Sequence, residues 1–153
     1  MHVLPDLAFL EEKYAGKPVV IIGCHSAKFN NEQETINIRQ AILRYTIRHP
    51  VVVDENLKIW DSFGVNSWPT LVAVGPDGLI LGGFSGEGHR AELDALISGA
   101  LTYYGKRNLL AKDGLTLPLE LEKEPPSELL YPGKVLIDPA QKQLFIADSN
   151  HNR

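Results

Sequence analysis

The sequence predicts an α/β protein with a mixed sheet flanked by helices, and three observations support this fold class. Two short apolar runs, Pro18–His25 and His49–Asp54, are rich in β-branched residues, as is typical of strands buried on both faces. Amphipathic helical patterns alternate with these runs, which favours right-handed crossovers. A later hairpin, turned at Gly75-Pro76-Asp77-Gly78, adds antiparallel strands and makes the sheet mixed.

Composition limits the classes of function. The chain has 153 residues, 44% of them hydrophobic, which suits one globular domain, or one domain with an appendage. Its net charge of −4 and the lack of a basic stripe exclude a general nucleic-acid binder. No apolar run reaches the roughly 18 residues of a membrane span, and no signal peptide is visible.

The chain has a single cysteine, Cys24. No internal disulfide can form, so a cytoplasmic location is the default expectation. Cys24 lies inside the first apolar run, where a free cysteine is usually a small buried hydrophobic residue. We therefore expect a buried thiol with a raised pKa and little reactivity.

The first predicted helix covers Met1–Tyr14, because its apolar residues recur at helical spacing, and Gly16 ends it. Two interpretations of its start remain open. Pro5 stands at the first helical position, or it kinks a longer helix whose first turn is missing. Further helices are predicted at Glu34–Tyr45, at Leu57–Phe63 with Asn56 near its cap, and at His89–Tyr104.

The stretch Ser67–Val74 joins an aromatic residue and a proline to an apolar β-type run. Pro69 has no N–H for a ladder, so it belongs at the first residue of a strand or on an edge. The sequence alone leaves a cis and a trans Trp68–Pro69 bond open. The return strand begins at Leu79–Leu81, and Gly82-Gly83 predicts a weak, bulge-prone point in it.

The C-terminal part has a different character. Residues 109–128 are charged and contain three prolines, which indicates a linker. A second hairpin follows, with strands at Gly133–Asp138 and Leu144–Asp148. The predicted organisation is a domain at 1–108, a linker at 109–128 and a second unit at 129–153. Since a lone hairpin is marginal in water, the last unit needs more sheet than its own two strands.

Several stretches resemble a known family. They are Ile21-Ile22-Gly23-Cys24-His25-Ser26-Ala27-Lys28-Phe29, Leu43-Arg44-Tyr45, Trp68-Pro69-Thr70-Leu71 and Gly86-Glu87-Gly88-His89. With the order of elements, they are similar to the thioredoxin-like domain, of the TlpA type, of NHL repeat-containing proteins. Residues 131–135 and 144–153 resemble the start of an NHL propeller blade, so the resemblance covers nearly the whole chain.

The resemblance implies a thiol–disulfide oxidoreductase with a cis-proline at Pro69. It also implies a Cys-x-x-Cys pair just before the residues that match Met1-His2-Val3-Leu4-Pro5, and this chain begins past that point. We therefore expect the first strand and the redox motif to be missing and the chain to be inactive in dithiol chemistry. The alternative is a non-catalytic binding module, so whether the intact protein is an enzyme stays open here.

The candidate site residues fall into two groups. Trp68, Pro69 and Thr70 are the candidates for a substrate groove, and the resemblance implies that groove. Cys24, His25 and Ser26 end the first strand, where ligands of open α/β sheets gather, although a hydrogen-bonded strand-end histidine is the plainer interpretation of His25.

No metal or other cofactor is predicted, because the histidines and the cysteine lack the spacing of metal ligands. The expected partner is a protein thiol or disulfide substrate, or another protein. Self-association through an exposed sheet edge or the second hairpin is the further expectation.

Overall fold

The structure, a computed structural model, describes residues 3–29, 32–112, 115 and 117–151. The predicted helix start at Met1 and the last two residues of the propeller-like stretch lie outside them. The elements are α1 (Val3–Lys13), β1 (Gly23–His25), α2 (Thr35–Arg44), β2 (Val51–Val53), α3 (Lys58–Ser62), β3 (Thr70–Val74), β4 (Ile80–Ser85), α4 (Arg90–Gly105), β5 (Pro132–Asp138) and β6 (Gln143–Asp148). This mixture of helices and strands confirms the predicted α/β class.

The six strands pair two by two within the described residues. β1 and β2 are parallel, whereas β3–β4 and β5–β6 are antiparallel. The predicted continuous mixed sheet is therefore divided into separate ladders. One edge of β1 and one edge of β3 have no strand partner in the described part of the chain.

The core joins the first two ladders under α1 and α4. Leu10, Tyr14 and Leu93 are buried at its centre. Half-buried side chains from the segment before β1, from the β3–β4 ladder and from α4 pack against them: Val19, Ile21, Leu71, Phe84, Ile97 and Leu101. The Tyr14 hydroxyl donates to Asp94 at 2.6 Å, and burial together with this bond raises the pKa of Tyr14 to about 12. One face of the β3–β4 ladder and of the segment before β1 is thus covered by the two helices.

Three predicted boundaries change. The first strand shortens to β1 because β2 offers only Val51–Val53 as a parallel partner. A 3-10 turn at Glu55–Leu57 precedes α3, and Asn56 has a left-handed φ of 58°. Asn56 is therefore not the cap of α3. The carboxylate of Asp54 takes that role, accepting the N–H groups of the second and third helical residues.

The return strand β4 passes through the predicted weak point. The structure confirms an irregularity, a register shift between Ala73 and Val74 opposite this strand. Gly82 contributes close packing, because a Cβ added there would lie 3.0 Å from Leu96 of α4. The strand continues through the glycine pair to Ser85.

The predicted linker contains a 3-10 turn at Glu120–Lys123, and the second hairpin follows it. Its apolar side chains are exposed on both faces: Val135, Leu136, Ile137, Leu144 and Phe145. None of the described helices is long and apolar enough to span a membrane.

Candidate functional site at the Trp68–Pro69 corner

The chain enters β3 through a cis peptide bond between Trp68 and Pro69. Two hydrogen bonds fix this corner. The hydroxyl of Thr70 donates to the Ser67 carbonyl at 2.8 Å, and the N–H of Gly86 donates to the Pro69 carbonyl at 2.8 Å. The corner is therefore tied both to its own first turn and to the strand opposite.

The side chain of Trp68 reaches the end of β1. Its indole N–H donates to the Ser26 carbonyl at 2.9 Å, and its ring lies 4.1 Å from the ring of Trp60, centroid to centroid. The ammonium of Lys28 lies 5.6 Å from the Trp68 ring, within the range of a cation–π contact. Trp68 stays 47% exposed, so it offers an aromatic surface held in one orientation.

The backbone of Trp68 has unused hydrogen-bonding capacity. Among the described residues, neither its N–H nor its carbonyl has a hydrogen-bond partner. The adjoining edge of β3 is also without a strand partner in the described part of the chain. An extended polypeptide lying along this corner could pair with these groups, because strand addition supplies the missing donors and acceptors.

Asp54 joins the elements around the corner. It is only 5% exposed, and its carboxylate accepts the Ser26 hydroxyl at 2.7 Å and the N–H groups of Ile59 and Trp60 at 2.8 and 2.9 Å. Burial alone would raise the pKa of Asp54, but these donors outweigh it and lower the pKa. In the sequence, Asp54 is only the last residue of the second apolar run. Its link to Ser26 spans 28 positions and has no signal in the sequence.

His25 and the loop after it are held by Glu32. The ring Nε2 of His25 donates to the Glu32 carbonyl at 2.9 Å, which confirms a hydrogen-bonded histidine at a strand end. The carboxylate of Glu32 accepts the N–H groups of Lys28 and Phe29 at 2.9 and 3.2 Å. This loop therefore presents the Lys28 ammonium beside Trp68, and the exposed ring of Phe29 lies next to the same ammonium.

The predicted burial of Cys24 is wrong, because its side chain is exposed. Val19 and Ile21 pack against the core, while Val20, Ile22 and Cys24 face the opposite side, which is left open. The thiol lies 3.7 Å from the Ser26 hydroxyl. Partial burial and the nearby Asp54 charge still raise the pKa of Cys24, so the thiolate is disfavoured.

The third predicted groove residue, Thr70, faces a different space from Trp68. It lines an open cleft of about 220 Å³ on the face of β3–β4 away from the core. The other lining residues are Phe63, Gly64, Val65, Asn66, Val72, Ile80, Gly83 and Ser85. The structure therefore places a solvent-exposed aromatic surface on one side of Pro69 and a small cleft on the other.

No metal centre is formed by the residues that the structure describes, since no three His, Cys, Asp or Glu side chains converge. His49 contacts Glu11 at 2.6 Å, and His89 contacts the Ser85 carbonyl at 3.1 Å. These histidines contribute to packing between elements.

Comparison with known proteins identifies the fold family. The family model for thioredoxin-like proteins matches residues 1–80, more than half of the chain. The chain belongs to the thioredoxin-like family. The cis-proline corner, Asp54 and α1 lie within the residues that the family model matches.

Similar proteins extend the match to the whole chain. Protein SUPPRESSOR OF QUENCHING 1, chloroplastic, of Arabidopsis thaliana is 51% identical over 99% of this chain and 15% of its own length. NHL repeat-containing protein 2 of Homo sapiens is 45% identical over 100% of this chain and 21% of its own length. The bovine protein of that name is 44% identical.

These matches confirm the resemblance to NHL repeat-containing proteins. The thioredoxin-like chain spans about a fifth or less of the length of these relatives.

Proposed function

We propose that this thioredoxin-like domain binds an extended polypeptide at the Trp68–Pro69 corner and forms the substrate-holding part of a thiol–disulfide oxidoreductase. The observation that carries the proposal is the unpaired backbone of Trp68 beside an open strand edge. The ring of Trp68, fixed by Ser26, adds an apolar contact surface for the bound chain. Main-chain pairing gives affinity, and this surface gives selectivity.

The redox step needs more thiols than this chain contains. In dithiol exchange, one thiolate attacks the substrate disulfide and a second thiol resolves the mixed disulfide, so the protein pair is oxidised as the substrate is reduced. The chain supplies only Cys24, whose raised pKa makes it a poor nucleophile at neutral pH. We infer that the 153-residue chain alone does not catalyse this exchange.

A disulfide-reduction assay tests the redox part. With dithiothreitol as the reductant, the 153-residue chain should not speed the reduction of insulin above the rate with dithiothreitol alone. A longer protein that includes a Cys-x-x-Cys pair ahead of residue 1 should speed it. Turnover by the shorter chain, or no turnover by the longer protein, would contradict the proposal.

Peptide binding tests the groove separately from the redox step. A fluorescent unfolded polypeptide should bind the chain and lose affinity about tenfold in Trp68→Ala. Tyr103→Ala is the matched control, since Tyr103 is an aromatic residue of similar exposure on α4, and it should bind normally. Equal affinities in wild type and Trp68→Ala would rule out the groove.

The second candidate function is a binding module without catalysis. The solvent-exposed aromatic surface at Trp68 favours it, because such surfaces recruit partners with no chemistry. A longer protein that binds polypeptide through Trp68 but never reduces a disulfide would establish this function in place of the first.

Location and self-association also belong to the proposal. We propose a cytoplasmic setting, supported by the single cysteine. Cell fractionation distinguishes this location from the chloroplast named for the plant relative.

We also propose that the exposed second hairpin pairs with a second copy of the chain, so sedimentation should show a mass that depends on concentration. The substitution Leu136→Lys should remove that dependence.

A further inference from the structure

α2 contacts the C-terminal part of the chain through charged side chains. The guanidinium of Arg39 bridges two carboxylates. Its Nε lies 3.2 Å from Glu120 and its Nη2 lies 2.6 Å from Glu124. These pairs join residues 81 and 85 positions apart, so they connect the thioredoxin-like domain to the segment before the second hairpin.

The same helix makes two uncharged hydrogen bonds with the residues that flank the second hairpin. The hydroxyl of Tyr131 donates to the Gln40 side chain at 2.7 Å, just before β5 begins. The side-chain amide of Asn150, just after β6, donates to the Arg44 carbonyl at 2.7 Å. Both ends of the hairpin are therefore held against successive turns of α2.

The contact between α2 and the segment before the second hairpin pairs opposite charges. The bond to Glu124, and then that to Glu120, raise the pKa of Arg39, while Lys123 and Arg39 lower the pKa of Glu120. Each pair is partly exposed, and isolated exposed pairs contribute little to stability. A guanidinium shared between two carboxylates has more defined geometry than a single pair, and it fixes orientation.

The two faces of the hairpin are largely exposed to solvent. Its apolar side chains are exposed on both sides, so packing against the domain does not fix its position. The orientation of β5–β6 must then depend on what holds its two ends and the segment before it.

We propose that α2 is the docking helix for the C-terminal hairpin, with Arg39 as the electrostatic anchor of the acidic segment Glu120–Glu124. The docking holds the hairpin at a fixed position relative to the Trp68–Pro69 corner. Any chain that continues from β6 would then start from a defined direction. The proposal is independent of the redox or binding role of the corner.

A distance measurement on the full chain tests it. Spin labels are attached at Glu12→Cys on α1 and Gln141→Cys in the turn of the second hairpin, both exposed, in a Cys24→Ser background. Double electron–electron resonance should give one narrow distance distribution in low salt. Arg39→Glu should broaden it at least twofold. In wild type, 1 M NaCl should broaden it too, since the Debye length there is about 3 Å.

Two further variants complete the test. Restoring opposite charges with Arg39→Glu plus Glu124→Arg should narrow the distribution again. Lys13→Glu, which breaks the 2.6 Å exposed pair with Asp94 inside the domain, should leave it unchanged. Arg39→Gln serves if the charge reversal disturbs folding by circular dichroism. A distribution that stays narrow in every Arg39 variant, or one that the reversed pair fails to restore, would overturn the proposal.

Discussion

In the hairpin β3–β4, one face packs against a helix, whereas in β5–β6 both faces are exposed. Leu71 and Phe84 of the first hairpin contact the buried core, and Gly82 admits the side chain of Leu96. In the second hairpin, residues with similar β propensity, such as Leu136 and Phe145, are 66% and 52% exposed. The two hairpins therefore have the same local pattern but different tertiary support.

The turns of the two hairpins also differ in their contacts with the rest of the fold. Asp77 in the first turn accepts the hydroxyl of Tyr104, on α4, at 2.9 Å. Among the described residues, Asp138 in the second turn accepts the backbone N–H groups of Ala140 and Gln141, both within its own loop. Turn chemistry is enough to form each hairpin. The first hairpin also contacts a helix at its turn, whereas the second contacts α2 at the opposite end.

The largest expected effect comes from the core that supports the first hairpin. Leu10 is 1% exposed, so Leu10→Ala should lower the free energy of unfolding by about 2–5 kcal/mol through lost burial and a cavity. Leu136→Ala is the matched substitution in the second hairpin and should change it by about 0.5 kcal/mol or less. Urea unfolding followed by circular dichroism measures both, and equal losses would remove the contrast between the hairpins.

Asp54→Asn should give the next largest loss, because Asp54 supports the start of the first hairpin through Ser26. The amide keeps the shape but weakens three bonds that a carboxylate accepts, at a cost of about 1–3 kcal/mol. Ser127→Ala, in the segment before the second hairpin, is the control and should have little effect. An Asp54→Asn protein as stable as the wild type in urea would show that the corner does not depend on this carboxylate.

The same carboxylate predicts a dependence on pH. The pKa of Asp54 is lower in the folded protein than in the unfolded chain, so its ionised form stabilises the fold. This contribution is complete above the unfolded pKa of about 4 and is lost as pH falls through the folded value. The stability difference between wild type and Asp54→Asn should therefore shrink from pH 6 towards pH 2. A constant difference across that range would contradict the role of the charge.

Local patterns explain which parts of this fold the sequence could predict. The helices and both hairpins follow from residue spacing and turn chemistry within a few positions. The sequence therefore predicts where these elements begin and end to within two or three residues. The exposure of Cys24 could not be predicted, since the alternation of a strand does not say which face a helix will cover. The apolar run around it looked buried on both faces.

The candidate site also combines residues in a local pattern with contacts that are distant in sequence. Trp68, Pro69 and Thr70 are groove candidates because the resemblance implies a groove there, and the structure places Thr70 in a cleft that Trp68 does not line. The bond from Trp68 to Ser26 joins residues 42 positions apart, and no pattern in the sequence marks it. Likewise, the contact of Arg39 with the acidic segment depends on how the folded units meet.

The smallest expected effect is a change in the free energy of unfolding that has opposite signs in the two turns. Gly78 in the first turn has φ of 80° and open space around the position of a Cβ, so Gly78→Ala should cost about 1–2 kcal/mol from backbone conformation alone. Lys142 in the second turn has φ of 54° although it carries a side chain. Lys142→Gly should relieve that conformation and raise the free energy of unfolding by a few tenths of a kcal/mol, roughly, after the entropy of glycine is counted.

Thermal unfolding of the paired variants measures this difference, with exposed Lys58→Gly in α3 as a control that should only destabilise. Opposite signs for the two turns would mean that the first turn already has the residue its geometry needs, while the second has kept a strained one. Since the hydrogen bonds from Tyr131 and Asn150 to α2 lie at the ends of the second hairpin, relief of that strain should register mainly as slower hydrogen exchange in β5 and β6. A change of equal size in β3 and β4 would instead show that the two hairpins unfold as one unit.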